Sequence, residues 1–246
     1  MAADSQAEAE PQDRGENNHM KLASEHFSEE DLKLISEAVK KAESKTSGEI
    51  VPVVATVSGR YDRAEDFFGL VIAVAALSLA WLIFQDVTPA KGGWSSGLAV
   101  IHLSLPAVLV IIALGFALGS ATATLFPFLR LPFIRKQEMR EEVERAALEA
   151  FQRFRVRATA GSTGILIYVS LYERMARVIG DDAISAKLSQ NAWNEVLQLA
   201  IAGMKDNNPK DGFVNAIEKC GDLLAESFPI DPDDNNEITN ELRIID

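Results

Sequence analysis

The sequence predicts an α/β fold, a small sheet covered by helices with a two-helix transmembrane hairpin inserted after the first strand. Residues 67–85 and 92–129 contain no charged side chain, and His102 is the strongest polar interruption. Two short runs rich in β-branched residues, 49–57 and 165–170, are typical of buried strands. Stretches with apolar residues at helical spacing surround both runs, and strands alternating with helices indicate the α/β class.

The uncharged residues between 67 and 126 form the predicted hairpin. About 20 apolar residues suffice to cross a bilayer as a helix, so this region is long enough for two spans in contact with lipid. A short connection then leaves both flanking segments on the same side of the membrane. Gly115 and Gly119 have the spacing that lets two helices approach closely. We interpret them as the contact between the two spans, with homodimerisation through that face as the alternative.

The charges beside the spans predict the orientation of the chain. Cations flank the hairpin on its outer sides, at Arg60, Arg63, Arg130, Arg135, Lys136, Arg140 and Arg145, whereas the connecting loop carries only Lys91. Because Lys and Arg accumulate on the cytoplasmic side, both termini should be cytoplasmic and the protein a multi-pass protein of the inner (plasma) membrane. A single cysteine, Cys220, gives no indication of an oxidising compartment.

The remaining sequence predicts one soluble domain in two pieces, residues 28–66 and 127–230. A polar, acidic N-terminus (1–27) should be disordered, and an acidic tail (231–246) should end the chain. The formal net charge of −12 and the absence of a basic stripe argue against nucleic acid as a partner.

The first piece of this domain predicts a helix followed by a strand. Ser28 before acidic residues is typical of a helix N-cap, and apolar residues then recur at helical spacing. The run 49–57 is almost continuously apolar, which indicates a strand covered on both faces. Pro52 within it cannot donate a backbone hydrogen bond and therefore predicts an edge position or a bulge.

The second piece predicts a helix, a β-hairpin and two more helices. Residues 135–157 form a charged helix with one apolar stripe, which should pack on the sheet. A strand at 165–170 is followed by a turn and a return strand at 175–179. Helices are predicted over 185–202 and 211–228, and Pro229 ends the last one.

Several motifs in these soluble pieces resemble the TPM domain family, named for thylakoid, photosystem-associated and nematode membrane proteins. They are Thr46-Ser47-Gly48-Glu49-Ile50, the run from Thr163 to Ser170, Glu173-Arg174, Trp193, and Asn236-Glu237-Ile238, which is similar to a bacterial branch. The resemblance covers about 28–66 and 137–240. It implies a TPM-like fold that is often membrane-anchored, and in a few members an acid phosphatase activity at an acidic cleft associated with calcium. Gly180-Asp181-Asp182 stands where typical members have a Gly-Tyr-Gly-Leu-Glu turn.

Candidate chemistry is confined to a few carboxylates and one arginine. Phosphoryl transfer needs groups that neutralise developing charge, and we name Asp181, Asp182 and Arg174 as candidate catalytic residues. The candidate metal ligands are Glu49, Glu173, Asp181 and Asp182, with calcium as the cofactor in question. The structural alternatives are a surface ion pair between Glu173 and Arg174, and a helix N-cap at Asp181-Asp182.

Two functional hypotheses follow. In the first, the chain is a membrane-anchored binding or assembly module that engages a membrane protein partner. In the second, it is a metal-assisted acid-phosphatase-like hydrolase that uses calcium or magnesium. The common nucleotide-binding and hydrolase motifs do not occur in the sequence.

Overall fold

The computed structural model describes residues 21–86, 100–101, 103–159, 161–188, 190–206, 208–231 and 236–246. Helix α1 (Glu29–Glu43) begins as the sequence predicts, because the Ser28 hydroxyl accepts from the Asp31 N–H at 3.2 Å while the Asp31 carboxylate accepts from the Ser28 N–H at 2.9 Å. The elements that follow, as far as the end of the hairpin, are β1 (Glu49–Ala55), α2 (Asp62–Phe84), β2 (Gln85–Asp86), β3 (Val100–Ile101) and α3 (Leu105–Leu125).

The second half of the chain contributes the rest of the domain. A 3₁₀ segment, Pro127–Phe133, leads into α4 (Lys136–Arg153), β4 (Gly164–Ser170), β5 (Met175–Gly180), α5 (Asp182–Lys187), α6 (Asn194–Lys205), α7 (Pro209–Ser227) and β6 (Arg243–Ile245). The helix predicted over 185–202 is therefore divided: α5 ends at Lys187, and a 3₁₀ turn, Gln190–Trp193, precedes α6.

These strands form a four-stranded mixed sheet in the order β5-β4-β1-β6. Strand β1 is parallel to β4 and to β6, and β5 returns antiparallel to β4. Every residue of β1 and β4 is buried, as their continuous apolar runs predict. One face of the sheet packs on α1, α6 and α7, and the other packs on α4. The predicted α/β architecture is confirmed.

The edge position predicted for Pro52 is wrong, because β1 lies between β4 and β6. Alternate residues of a strand bond to the same neighbour, and the Thr56 N–H donates to the Ile245 carbonyl at 2.9 Å. Pro52 therefore faces the β6 side. Pairing with β6 begins only at Val53, opposite Arg243, so the N–H that proline lacks has no strand to bond to.

Helices α2 and α3 pack on each other through small residues. A Cβ added to Gly119 would lie 2.8 Å from the Ile72 Cβ, and one added to Gly115 would lie 2.9 Å from the Ala73 Cα. These glycines thus form the contact between the two helices. Both helices are long and apolar enough to cross a membrane. Many large apolar side chains on their outer faces are exposed. His102 lies outside the described residues.

Both ends of the domain differ from the sequence prediction. Residues 23–26, placed in the disordered N-terminus, form a 3₁₀ turn, and Ala23 and Phe27 are buried; residues 1–20 lie outside the described part. Strand β6 falls within the predicted acidic tail. It pairs with the side of β1 away from β4, and Leu242 and Ile244 pack against the core.

Candidate functional site

The structure separates the predicted site residues into two groups at opposite ends of the sheet. Glu49 begins β1, and Asp181 and Asp182 directly follow β5, whose end is paired with the start of β4. Glu173 and Arg174 lie in the turn after β4. Seven residues of β4 separate the two ends, about 20 Å at 3.3 Å per residue. Arg174 therefore does not meet the two aspartates, and the four predicted metal ligands do not converge.

Glu173 is a buried carboxylate at the carboxyl end of the two parallel strands. Its Oε1 accepts from the Ser58 N–H at 3.0 Å, the Gly59 N–H at 3.3 Å and the Tyr61 hydroxyl at 2.7 Å, and its Oε2 accepts from the Ser170 hydroxyl. Only 6% of its surface is exposed. The surface ion pair suggested as an alternative is thus wrong for Glu173.

Its neighbour Arg174 has a different environment. The side chain is exposed, and the backbone has φ 52°, the left-handed conformation that closes the turn between β4 and β5. The turn directs the two adjacent side chains apart, one into the protein and one into solvent.

A chain of hydroxyl groups extends the Glu173 site. The Ser58 hydroxyl lies 2.9 Å from the Tyr168 hydroxyl and donates to that of Ser170 at 2.8 Å. Burial raises the pKa of Tyr168 to about 12, and burial together with the nearby Glu173 raises the pKa of Tyr61 far above its ordinary value. Both phenols are therefore protonated at neutral pH.

The hydroxyl residues of this cluster are not among those predicted from the sequence. The available signal was their position: Ser58 and Tyr61 follow β1, and Ser170 ends β4, so they come at the carboxyl ends of parallel strands, where α/β sheets place polar sites. We call Ser58, Gly59, Tyr61, Tyr168, Ser170 and Glu173 the Glu173 cluster.

The base of the hairpin is attached to the sheet beside this cluster. Glu65 in the first turn of α2 forms an ion pair with Arg130, and both side chains are largely buried. The Tyr172 hydroxyl donates to the Pro127 carbonyl at 2.9 Å and accepts from Arg130 at 3.3 Å. The Tyr172 ring also packs on that of Tyr61, with centroids 5.8 Å apart. Hairpin and domain are therefore joined by polar and aromatic contacts.

At the other end of the sheet, Asp181 caps α5, as the structural alternative predicted. Its Oδ1 accepts from the Asp182 N–H at 2.8 Å and lies 3.3 Å from the Arg157 Nε. The Arg157 guanidinium also forms an ion pair with the exposed Asp182 carboxylate. Asp181 is 3% exposed, and its Oδ2 has no hydrogen-bond partner in the described part of the chain. Arg157, which the sequence analysis missed, thus stands beside the aspartates instead of Arg174.

Glu49, predicted as a metal ligand, makes a structural contact at the start of β1. Its carboxylate accepts from the N–H groups of Glu237 at 3.0 Å and Ile238 at 3.3 Å, which holds the segment leading to β6. Among the residues that the structure describes, no three His, Cys, Asp or Glu side chains form a metal-binding group. Calcium prefers six to eight oxygen ligands, so the two carboxylates of Asp181 and Asp182 fit it poorly. Magnesium often uses one or two carboxylates and completes its shell with water and phosphate.

A groove of ≈ 470 Å³ follows the outer edge of β5. Its walls come from α4 and from the α5–α6 region, at Glu144, Leu148, Ser185, Leu188 and Trp193. The Asp181 N–H donates to the Gly164 carbonyl, so Ile179 and Arg177, at alternate positions, also bond to β4. The backbone groups of Ala176 and Val178 consequently face the groove.

Comparisons with known proteins agree with this architecture. Residues 133–223 match the family model of the TPM domain. No curated protein matches the chain. The solved NMR structure of the BA42 protein from the psychrophilic bacterium Bizionia argentinensis is similar, with 20% sequence identity, a TM-score of 0.50, and coverage of 88% of this chain and 94% of that one. This likeness concerns the fold. Residues 133–223 thus match the TPM domain, and the sheet and helices have the α/β fold that the sequence motifs predicted.

Proposed function

We propose that this protein is a membrane-anchored binding or assembly module whose TPM domain lies at the surface of the inner (plasma) membrane. The observation that carries the proposal is the hairpin. Its inner face is closed by glycine contacts, whereas large apolar side chains of its outer faces, such as Leu82 and Leu118, are about two-thirds exposed. A bilayer is the environment that accepts such a surface.

The attachment at the base of the hairpin supports a fixed position of the domain relative to the bilayer. The Glu65–Arg130 ion pair and the Tyr172 contacts link both apolar helices to the end of the sheet. The flanking cations favour a cytoplasmic location of both termini.

The β5 groove is the surface that we assign to a membrane protein partner. An edge strand with unpaired N–H and C=O groups binds an extended segment by adding it as a further strand. The groove has helical walls on both sides, and Leu148, 47% exposed, supplies an apolar contact.

Membrane insertion is tested by alkaline extraction of membranes and by cysteine labelling. The native Cys220 is buried and its thiol pKa is raised, so it gives little background. We expect the protein to stay in the membrane fraction. A Lys91→Cys variant should react with an impermeant maleimide from outside, and a Lys205→Cys variant only after permeabilisation. Extraction into the soluble fraction, or outside labelling of Lys205→Cys, contradicts the proposal.

The partner surface is tested by cross-linking the full chain in native membranes. Val178→Pro removes an N–H that faces the groove while leaving the alternate bonds to β4, and we expect it to abolish the cross-links. Val178→Ala is the matched control, because it keeps the N–H and should keep the cross-links. Equal cross-linking of both variants would exclude strand addition at β5.

A second candidate function, a metal-assisted phosphatase, is favoured by the Oδ2 of Asp181, which has no partner in the described ranges and lies beside Asp182 and Arg157. These residues would hold a magnesium ion and a phosphate group, and the metal would supply charge neutralisation. The assay measures phosphate ester hydrolysis by the full chain with calcium, magnesium or neither. Metal-dependent turnover that is lost in Asp182→Asn but kept in Arg174→Gln would establish this function, and absence of turnover would exclude it.

A further inference from the structure

The 3₁₀ segment between α3 and α4 differs from the other connections of the domain. It is rich in apolar and aromatic residues, Pro127-Phe128-Leu129-Arg130-Leu131-Pro132-Phe133, and it lies across the base of the hairpin. The Phe133 ring packs on the rings of Phe67 at 5.3 Å and Phe68 at 6.1 Å, both at the start of α2. The segment is therefore held where the apolar part of the two helices begins.

Part of this segment is directed away from the protein. Phe128 is 47% exposed and Leu131 is 37% exposed, and they continue the exposed apolar surface of Leu125 at the end of α3. Arg130, in contrast, is held inward by Glu65. The segment thus has an apolar outer side and a polar side turned to the domain.

Two cations follow immediately. Arg135 and Lys136 are exposed, and they have no ion pair within the ranges that the structure describes. They occupy the N-cap and first position of α4, where the helix dipole disfavours positive charge. Helix α1, by comparison, begins with three acidic residues. The stability of α4 therefore does not explain these cations, which stand out further in a chain with a net charge of −12.

We propose that residues 127–136 form an interfacial anchor that binds anionic phospholipid headgroups. Phe128 and Leu131 contact the upper acyl chains, and Arg135 and Lys136 contact the headgroup phosphates, as apolar and basic residues do at membrane surfaces. This inference rests on the proposed insertion of the hairpin, because insertion places the segment at headgroup depth. It adds a lipid class and a recognition site that insertion alone does not require.

The position of the anchor is tested with an environment-sensitive fluorophore on the full chain in nanodiscs. The label is placed at Phe128→Cys and, as the control, at Leu34→Cys, a similarly exposed apolar position on α1. We expect the label at 128 to show blue-shifted emission and quenching by lipids brominated near the headgroup end of their chains. The label at 34 should show neither. A solvent-exposed label at 128 would overturn the proposal.

Lipid preference is tested by electron paramagnetic resonance with spin-labelled phosphatidylglycerol and phosphatidylcholine. One cation near an anionic surface favours the anionic lipid about fivefold, so the wild type should enrich phosphatidylglycerol by at least that factor at low salt. Arg135→Gln with Lys136→Gln should remove the enrichment. Arg155→Gln with Lys205→Gln is the charge-matched control; Arg155 lies beyond the far end of α4, about 27 Å away along an 18-residue helix.

The outcomes separate the two proposals. If the protein inserts into the bilayer but the double variant keeps the preference for phosphatidylglycerol, or if the wild type contacts both phospholipids equally, the headgroup inference is wrong and insertion stands. If the protein does not stay in the bilayer at all, the proposed function fails first.

Discussion

Glu173 and Asp181 are both buried carboxylates at ends of the same sheet, but they differ in their partners. Both oxygens of Glu173 accept hydrogen bonds, from two backbone N–H groups and two hydroxyls. Asp181 uses one oxygen to cap α5 and contact Arg157, while the other has no partner among the described residues. A saturated carboxylate stabilises the fold, whereas one with a free oxygen retains capacity for a ligand. The carboxyl end of the sheet thus holds a fully bonded carboxylate that connects several segments of the fold, and the amino end holds a buried carboxylate oxygen without a partner among the described residues.

The largest expected effect is that of Glu173→Ala. The substitution leaves the Tyr61 hydroxyl and two backbone N–H groups buried without acceptors, which should lower the free energy of unfolding by about 3 kcal/mol or more. Denaturant unfolding of the full chain in micelles measures it. Arg174→Gln, at the exposed adjacent position, is the control and should change it by less than about 0.5 kcal/mol. Equal effects would mean that the two positions do not differ.

Glu65→Gln should have the next largest effect, because it leaves Arg130 as a largely buried charge without its ion-pair partner. We expect a loss of about 2 kcal/mol in the same unfolding measurement, below the cost of a fully buried pair. Glu142→Gln breaks a more exposed pair with Arg145 and should cost about 0.5 kcal/mol. Comparable losses of unfolding free energy in Glu65→Gln and Glu142→Gln would mean that the Glu65–Arg130 pair does not specifically attach the hairpin to the sheet.

The pH dependence of unfolding gives an effect that is absent at neutral pH. The pKa of Tyr168 is raised from 10.0 to about 12 by burial, so the folded state keeps a proton that the unfolded chain releases. The contribution of Tyr168 to the free energy of unfolding is complete below pH 10 and decreases as the pH rises from 10 to about 12. We expect Tyr168→Phe to reduce this alkaline loss of stability, and tyrosinate absorbance to report the high pKa directly. If Tyr168→Phe leaves the slope of unfolding free energy against pH unchanged, another group causes the alkaline loss of stability, and Tyr61 is the next residue to test.

The smallest effect belongs to the amino end of the sheet. Arg157→Gln removes a guanidinium whose side chain is 66% exposed, so the free energy of unfolding should change by less than about 0.5 kcal/mol. Asp181→Asn keeps the helix cap and should likewise have a small effect. If either substitution lowers the free energy of unfolding as much as Glu173→Ala, the amino end of the sheet is equally important for stability.

Local sequence signals identified most helices and strands but not the contacts that Glu173 makes at the carboxyl end of the sheet. The two buried strands, the Ser28 cap and the glycine contact in the hairpin follow from residue type and spacing, which act over short distances. Strand β6 was missed because three residues near an acidic terminus have no pattern of their own and become a strand only by pairing with β1. The edge position predicted for Pro52 was wrong for the same reason. A central strand accepts a proline there only because β6 begins to pair one residue later.

The candidate site was predicted in its residue types and only partly in its arrangement. Asp181 and Asp182 were identified together, and the structure keeps them together beside an arginine. That arginine is Arg157 and not Arg174, because β5 carries the chain the length of the sheet away from the turn. Sequence distance gave no measure of this separation.

The sequence by itself determined the two uncharged helices, the buried strands and the TPM-domain motifs, because hydrophobicity and backbone preferences are properties of adjacent residues. Only the tertiary structure decided which carboxylate is saturated and which has an oxygen without a partner among the described residues. That difference depends on donors from the segment after β1 and from the end of β4, which come within hydrogen-bond distance of Glu173 and not of Asp181.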